Sequence, residues 1–357
     1  MSSAAVRELA DRVRAASAAR RPLRIRAGGS KDFYGNPVAG EILDPRGCAG
    51  VTAYEPSELV LTAQAGTRLA EIDELLLASG QMLAFEPPQF SPAATLGGCV
   101  AAGLAGPRRA LAGGVRDALL GAKLLDGRGN VLAFGGTVMK NVAGYDVSRL
   151  LAGSLGTLGV LLEVSLKVVP RPPFEATLAL ELDERTAHER CLAWLRAPWP
   201  LSASAWHAGR LWVRLSGARS TVLAACAACG GERLAPSAAL EFWEDVREQR
   251  LPLFTAGPRL WRVSVPGNSP ELDLPGAQLI EWGGSLRWLA TDLGAAPIRT
   301  RATALGGHAT LFRGGDGSIP VFQPLAPVVA RIETRLRAEF DPAGIFNPGR
   351  MHADATR

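Results

Sequence analysis

Lysine, histidine and cysteine are all scarce in this 357-residue chain. Only Lys31, Lys123, Lys140 and Lys167 among the 39 basic residues are lysines, and only His188, His207, His308 and His352 are histidines. So few scattered imidazoles form no clustered ligand set, and no metal site is expected. The five cysteines (Cys48, Cys99, Cys191, Cys226, Cys229) are odd in number and dispersed. That excludes a secreted disulfide framework and favours a reducing compartment. Cys226-Ala227-Ala228-Cys229 is a C-x-x-C without a second pair or nearby histidines, and on an alanine-rich stretch it reads as helix packing. No apolar run reaches the roughly 18 to 20 residues that span a bilayer, so no transmembrane segment is expected. Five arginines between Arg7 and Arg21 could suggest a transit peptide, but Glu8 and Asp11 interrupt them and no apolar h-region follows. The net charge of +5 is spread along the chain, with no basic block interleaved with aromatics, which argues against nucleic acid. It suits small anionic partners.

Hydrophobic residues make up 47% of the chain and charged residues 20%, as in an ordinary globular protein. Val6, Leu9, Ala10 and Val13 space one face of a first helix. From about 23 to 170, β-like runs alternate with glycine: 23–26, 51–54, 59–64, 81–85, 117–125, 131–134 and 158–169, with a helix over 69–79. The turn Asp126-Gly127-Arg128-Gly129-Asn130 joins two of the strands. Arg171-Pro172-Pro173 reads as a linker, because consecutive prolines cannot continue a ladder. Beyond it the spacing predicts a second region with helices at 183–195, 219–228 and 239–250, a hairpin at 204–215, and strands at 261–265, 278–282 and 302–312. All eight tryptophans fall in this region. A helix over 325–340 then leads to an apolar, turn-rich tail, expected to pack back on the first region. The fold class is α+β, with domains at 1–172 and 173–322 and a C-terminal segment, 323–357, returning to the first domain.

Three glycine-rich segments carry the functional argument. Arg26-Ala27-Gly28-Gly29-Ser30-Lys31 directly follows a strand, and without Cβ atoms its backbone N–H groups can turn inward as an anion-binding nest. Thr95-Leu96-Gly97-Gly98 with Ala101-Ala102-Gly103, and then Gly113-Gly114-Val115-Arg116-Asp117, offers small residues for a flat ligand. Gly153-Ser154-Leu155-Gly156-Thr157-Leu158-Gly159 runs into the strand at Val160. A nicotinamide-dinucleotide fingerprint needs G-x-G-x-x-G between a strand and a helix, and neither glycine pair fits. No Walker P-loop occurs either.

In this order the segments resemble the FAD-binding domain of the vanillyl-alcohol oxidase/PCMH flavoproteins over residues 20–172. Lys140-Asn141-Val142-Ala143-Gly144-Tyr145-Asp146-Val147, Asp341-Pro342 and Asn347-Pro348-Gly349 are similar to further signatures of that family. The resemblance implies a two-subdomain FAD domain followed by a smaller cap. It implies that the Arg26 to Lys31 loop holds the pyrophosphate, that Thr95, Gly97, Gly98 and Gly103 border the flavin ring, and that Gly156, Gly159 and Val160 lie toward the adenine. Gly114, Asp117 and Asn347 complete the implied cofactor set. Some relatives attach the flavin through a histidine in the pyrophosphate loop; Ser30 stands here, so FAD is expected to be non-covalent. Cys99 reads as a small buried residue.

Beyond this domain, Gly306-Gly307-His308-Ala309-Thr310-Leu311-Phe312-Arg313, the short cap and Phe346-Asn347-Pro348-Gly349-Arg350-Met351 resemble the family of smaller FAD-binding subunits of glycolate oxidase (glycolate dehydrogenase). The larger flavin dehydrogenases of 2-hydroxy acids carry a histidine-rich cluster that this chain lacks. The resemblance implies an FAD-dependent oxidoreductase that works in a complex with a larger flavin catalytic subunit and an iron–sulfur subunit. The same resemblance implies that glycolate, or a D-lactate-like 2-hydroxy acid, is oxidised to the 2-oxo acid. A cytoplasmic location is expected, with peripheral attachment at the inner face of the plasma membrane left open. A base and a carboxylate-binding cation could be His308 and Arg313, but five residues apart on a strand they point to opposite faces unless a bulge intervenes. Two alternatives stay open: a stand-alone FAD-dependent 2-hydroxyacid dehydrogenase or alcohol oxidase, and a non-catalytic flavin relay or scaffold.

Overall fold

The computed structural model describes residues 4–136 and 146–352. It divides into two compact units: Met1–Leu104, Gly114–Pro170 and Pro324–Arg357 form the first, and Ala105–Gly113 with Arg171–Gln323 the second.

In the first unit, helix α1 (Ala4–Ala19) buries Leu9, Ala10, Val13 and Ala16, one face at helical spacing. The short strand β1 (Leu23–Ile25) pairs in parallel with β2 (Glu41–Leu43). Strand β2 has no alternating pattern long enough to announce it; only its Leu43 is buried. On its other side β1 makes a parallel bridge from Leu23 to Phe346, so the C-terminal tail extends this small sheet. Ile345 and Phe346 are buried with Leu23, Leu43, Leu125 and Val160, a cluster that removes the tail's apolar surface from water.

The same unit holds a five-stranded antiparallel sheet. Its strands are β3 (Val51–Glu55), β4 (Val60–Gln64), β6 (Leu119–Leu125), β7 (Val131–Gly135) and β8 (Val160–Lys167), in the order β3-β4-β8-β6-β7. Strand β8 is central and almost wholly buried, as its continuous apolar run requires. Two shorter strands, β5 (Gln81–Met82) and β9 (Val169–Pro170), pair beside it. Thus the strand expected over 81–85 is only two residues long. The first residues of 117–125 belong to a helical turn, Val115–Ala118. Helix α2 (Leu69–Ala78) buries Leu69, Ile72 and Leu76, and α3 (Leu96–Ala102) follows.

Residues 105–113 lie inside the expected first domain but pack with the second unit. Long-range contacts take them there. Trp282 donates its indole N–H to Gly106 O at 3.0 Å, the Arg109 guanidinium lies 4.5 Å from the Trp282 ring centre, and buried Arg108 pairs with Glu175.

The second unit is built on one eight-stranded sheet. Its strands are β10 (Phe174–Glu181), β11 (Leu201–His207), β12 (Arg210–Gly217), β13 (Glu232–Arg233), β14 (Arg259–Ser264), β15 (Ala277–Glu281), β16 (Leu286–Thr291) and β17 (His308–Arg313). The order β13-β10-β12-β11-β15-β16-β14-β17 is antiparallel at every pairing. Each half, numbered within itself, runs 4-1-3-2, the split βαβ arrangement laid down twice and joined where Ala205 faces Glu281. Helices Glu184–Arg196 and Arg219–Cys229 cover the first half through Cys191, Val222, Ala225 and Cys229, while Ala295–Ala304 covers the second through Ile298 and Ala302. The strand expected over 302–312 therefore starts later, at His308, because residues 302–304 still belong to the helix Ala295–Ala304. Strand β16 has no counterpart in the sequence reading. Trp282, Gly283 and Gly284 turn the chain into it with φ of 56°, 63° and 101°.

Candidate functional site

The loop after β1 has the form the glycines imply. Arg26 N–H donates to Leu43 O at 3.1 Å and Asp32 N–H to Gly29 O at 3.1 Å, which bends the loop back on itself. Among the described residues no acceptor pairs with the backbone N–H groups of Ala27, Gly28, Gly29 or Ser30. A run of unpaired donors at a turn is a ready anion nest. Gly29 has φ of 69°, and a Cβ on Gly28 would lie 1.6 Å from Ala93 O, so only glycine lets the two backbones approach.

This loop forms one wall of a cleft, facing Thr95, Gly98, Ala101 and Ala102 of the α3 segment, with Leu155, Asn347 and Arg350 closing it. Four cations (Arg24, Arg26, Lys31 and Arg350) stand in the wall against one carboxylate, Asp32. Arg24 and Arg26 both bridge to Asp32, at 3.0 and 2.5 Å. The cleft therefore carries a net positive field, suited to a dianion. Opposite the cations the wall is small-residue backbone. Thr95 caps α3, its hydroxyl accepting from Gly98 N–H at 3.2 Å, and α3 is tied to the next segment by Gly153 N–H to Val100 O (3.0 Å) and Leu155 N–H to Ala101 O (2.9 Å).

The tail closes the cleft. Buried Asn347 accepts from Ile25 N–H through its Oδ1 at 2.8 Å and donates from Nδ2 to Leu155 O at 2.7 Å, so one amide joins β1, the 153–159 segment and the tail. Three residues on, Arg350 donates to Tyr34 O (2.6 Å), Asp32 O (3.1 Å) and Asn36 O (3.2 Å). Burial lowers the Arg350 pKa, Asp32 opposing and Arg24 adding to the shift; the guanidinium remains charged at neutral pH. Nothing in the sequence pattern singles out Arg350, Arg24 or Asp32, since their roles depend on a tail that returns from more than 300 residues away.

Unpaired backbone donors, excess cations and a small-residue wall together fit a ligand with a pyrophosphate and a flat ring system, and FAD is such a ligand. Residues 3–148 match the family model described as FAD binding domain. The chain is 46% identical over 346 residues to glycolate oxidase subunit GlcE of Escherichia coli (strain K12), an alignment covering 97% of each chain. It belongs to the GlcE family. Glycolate oxidase subunit GlcD of Bacillus subtilis (strain 168) is 34% identical over 125 residues, 35% of this GlcE-type chain and 27% of that one. A solved alkyldihydroxyacetonephosphate synthase superposes with a TM-score of 0.66 over 96% of this chain and 75% of its own, at 15% identity, which shows the fold. The GlcE-type chain thus shares the fold of that synthase.

Seven of the residues singled out in the sequence do not line the cleft of this GlcE family member. Gly97 packs on the sheet, where a Cβ would meet Ala65 Cβ at 2.8 Å; Gly103 ends α3 at φ of 65° against Gly153. Gly156 sits against the Asn347 amide and Gly159 against Leu125 O. Val160 is core, and Gly114 N–H is bound by Asp117 Oδ2 at 2.8 Å. These residues set the backbone around the cleft. Residues 140–145 of the Lys140 to Val147 signature lie outside the described residues. Burial pushes the Cys99 thiol up to about 12, which leaves it protonated and unreactive at neutral pH. His308 and Arg313 stand at opposite ends of β17 in the second unit, separated along the strand by roughly 16 Å at about 3.3 Å per residue. A bulge does occur, Phe312 being passed over in the pairing with β14, but the separation alone keeps the two side chains from one small ligand.

Proposed function

We propose that this chain is the FAD-bearing subunit of a glycolate-oxidising complex. In it glycolate, or a close 2-hydroxy acid, becomes the 2-oxo acid, and electrons leave through an iron–sulfur partner beside a larger flavin subunit. The observation that carries this reading is the 46% identity to a glycolate oxidase subunit over 97% of both chains. Bound FAD would supply the two-electron acceptor. The chain's own residues would hold it. The N–H groups of Ala27 to Ser30 take the pyrophosphate, while Arg26, Lys31 and Arg350 balance its charge. Thr95, Gly98, Ala101 and Ala102 give the ring a flat wall. Ser30 offers no imidazole and Cys99 no thiolate for covalent attachment, so the flavin is released on unfolding.

A second reading, in which the chain relays electrons without turning substrate over, is favoured by where its histidines lie. His188 bonds Gly267 O, His207 bonds Gln278 O and His352 faces Glu333, each at a separate place in the fold. Anaerobic mixing with glycolate or D-lactate separates the two. Bleaching of the flavin absorbance in the isolated chain supports catalysis by this subunit; bleaching only after the larger subunit is added supports the relay. Peripheral membrane attachment of the complex would be read from its sedimentation with the membrane fraction. Among the described residues no helix is long and apolar enough to cross a membrane.

A further inference from the structure

Asp341 is a buried carboxylate that does not itself line the cleft. It caps the helix Pro327–Phe340, its own N–H closing the last turn on Arg337 O at 2.7 Å. A carboxylate is costly to bury unless its oxygens are bound. Burial does raise the Asp341 pKa, while backbone N–H donors and the Arg337 charge pull the other way. The main donor is Phe346, whose N–H reaches Asp341 Oδ2 at 2.8 Å, and the main-chain oxygen of Asp341 accepts from Gly344 N–H at 3.0 Å. One residue thus closes the turn 341–346 from both its side chain and its backbone. The turn is pinned against the 126–130 turn as well: Gly127 N–H donates to Phe340 O at 2.8 Å, and a Cβ on Gly127 would lie 2.7 Å from Asp341 Oδ1.

What the turn delivers is the register of the tail on β1. Leu23 N–H donates to Ile345 O at 2.8 Å and Asn347 N–H to Leu23 O at 3.0 Å, the two bonds of a parallel bridge centred on Phe346. That pattern leaves the N–H of fully buried Phe346 pointing away from β1, where it would be an unsatisfied donor without Asp341. Two main-chain bonds hold a register weakly, and a slip of one residue would turn Asn347 to the opposite face. Asn347 itself sits in the left-handed region, with φ of 41°, and its amide joins Ile25 N–H to Leu155 O immediately before the Arg26 to Lys31 loop.

We propose that Asp341 is a positioning residue for FAD: by holding Phe346 N–H it fixes the register in which the Asn347 amide braces the cofactor loop. The inference rests on the reading of the cleft as the FAD site.

The test is fluorescence titration of the flavin-free full chain with FAD. Asp341→Ala removes the acceptor and should raise Kd about tenfold or more, as loss of a hydrogen bond to a charged group does. Asp341→Asn keeps a carbonyl oxygen for Phe346 N–H and should bind FAD as the wild type does. In an Asn347→Ala background the effect of Asp341→Ala on Kd should disappear, because the residue through which it acts is gone. Ile298→Ala opens a cavity in the core of the second unit and serves as a control that is destabilised without a change in Kd. A wild-type Kd in Asp341→Ala would overturn the proposal, as would an Asp341→Asn variant as weak as Asp341→Ala, an undiminished effect in the Asn347→Ala background, or an equal rise in Kd in Ile298→Ala. Hydrogen exchange of the wild-type chain covers the case in which Asp341→Ala does not fold. Added FAD should slow exchange at 344–347 together with 24–31, and tail amides indifferent to FAD would overturn the proposal. A wild-type chain that takes up no FAD would instead remove the reading of the cleft on which the proposal rests.

Discussion

Arg350→Ala should loosen the cofactor loop from the far end of the chain. The substitution removes four donor contacts, to the carbonyls of Lys31, Asp32, Tyr34 and Asn36, between 2.6 and 3.4 Å. Hydrogen bonds to a charged group contribute roughly 1.5–3 kcal/mol each and do not add fully, so a loss of about 2–4 kcal/mol in stability is expected. Freeing two residues of the 31–36 loop would add about 2–3 kcal/mol of ordering cost to FAD binding, raising Kd about 30- to 150-fold. Arg350→Lys keeps the charge but not the fork and should fall in between. The assay is fluorescence titration of flavin-free protein with FAD, beside thermal unfolding. Arg12→Ala, which removes an exposed pair with Glu41, serves as the surface control. A Kd unchanged in Arg350→Ala while the melting temperature falls would refute the claim that the tail shapes the loop.

Gly28→Ala places a methyl group against the Ala93 carbonyl, where only backbone can yield; overpacking of this kind costs about 1–3 kcal/mol, and FAD titration should show weakened binding. Cys99, its pKa raised by burial to about 12, should resist iodoacetamide at neutral to mildly alkaline pH in the native state and react once denatured, as read by mass spectrometry. Arg108→Met breaks the pair of buried Arg108 with exposed Glu175, which helps hold residues 105–113 in the second unit, and should lower stability by about 1–2 kcal/mol in denaturant unfolding. His308→Ala and Arg313→Ala should leave the Kd for FAD unchanged by titration, because both lie outside the cleft.

The glycine loop after β1 was legible in the sequence because its requirement is local: consecutive glycines after a strand favour a turn that presents backbone. Helix α1 and strand β8 were legible for the same reason, their burial written in one periodicity or one apolar run. What the sequence concealed is set by distant partners. The excursion of residues 105–113 depends on Trp282 and Glu175, and the Arg350 clamp depends on a tail paired to β1. Gly97, Gly103, Gly156 and Gly159 were read as bordering the flavin or the adenine; in the structure each lies close to a neighbouring residue, a distinction that local sequence does not carry. The doubled 4-1-3-2 sheet was invisible because strand order is a property of pairing, and β16 emerges from a turn that interrupts its pattern.

The claim that matters most is that this chain holds FAD by backbone donors and charge, without a covalent bond. Precipitating the purified chain with acid and measuring flavin on both sides of the separation tests it directly. Equimolar FAD in the supernatant and a colourless pellet are expected. Flavin retained in the pellet, or a purified chain that neither carries nor takes up FAD, would contradict the account.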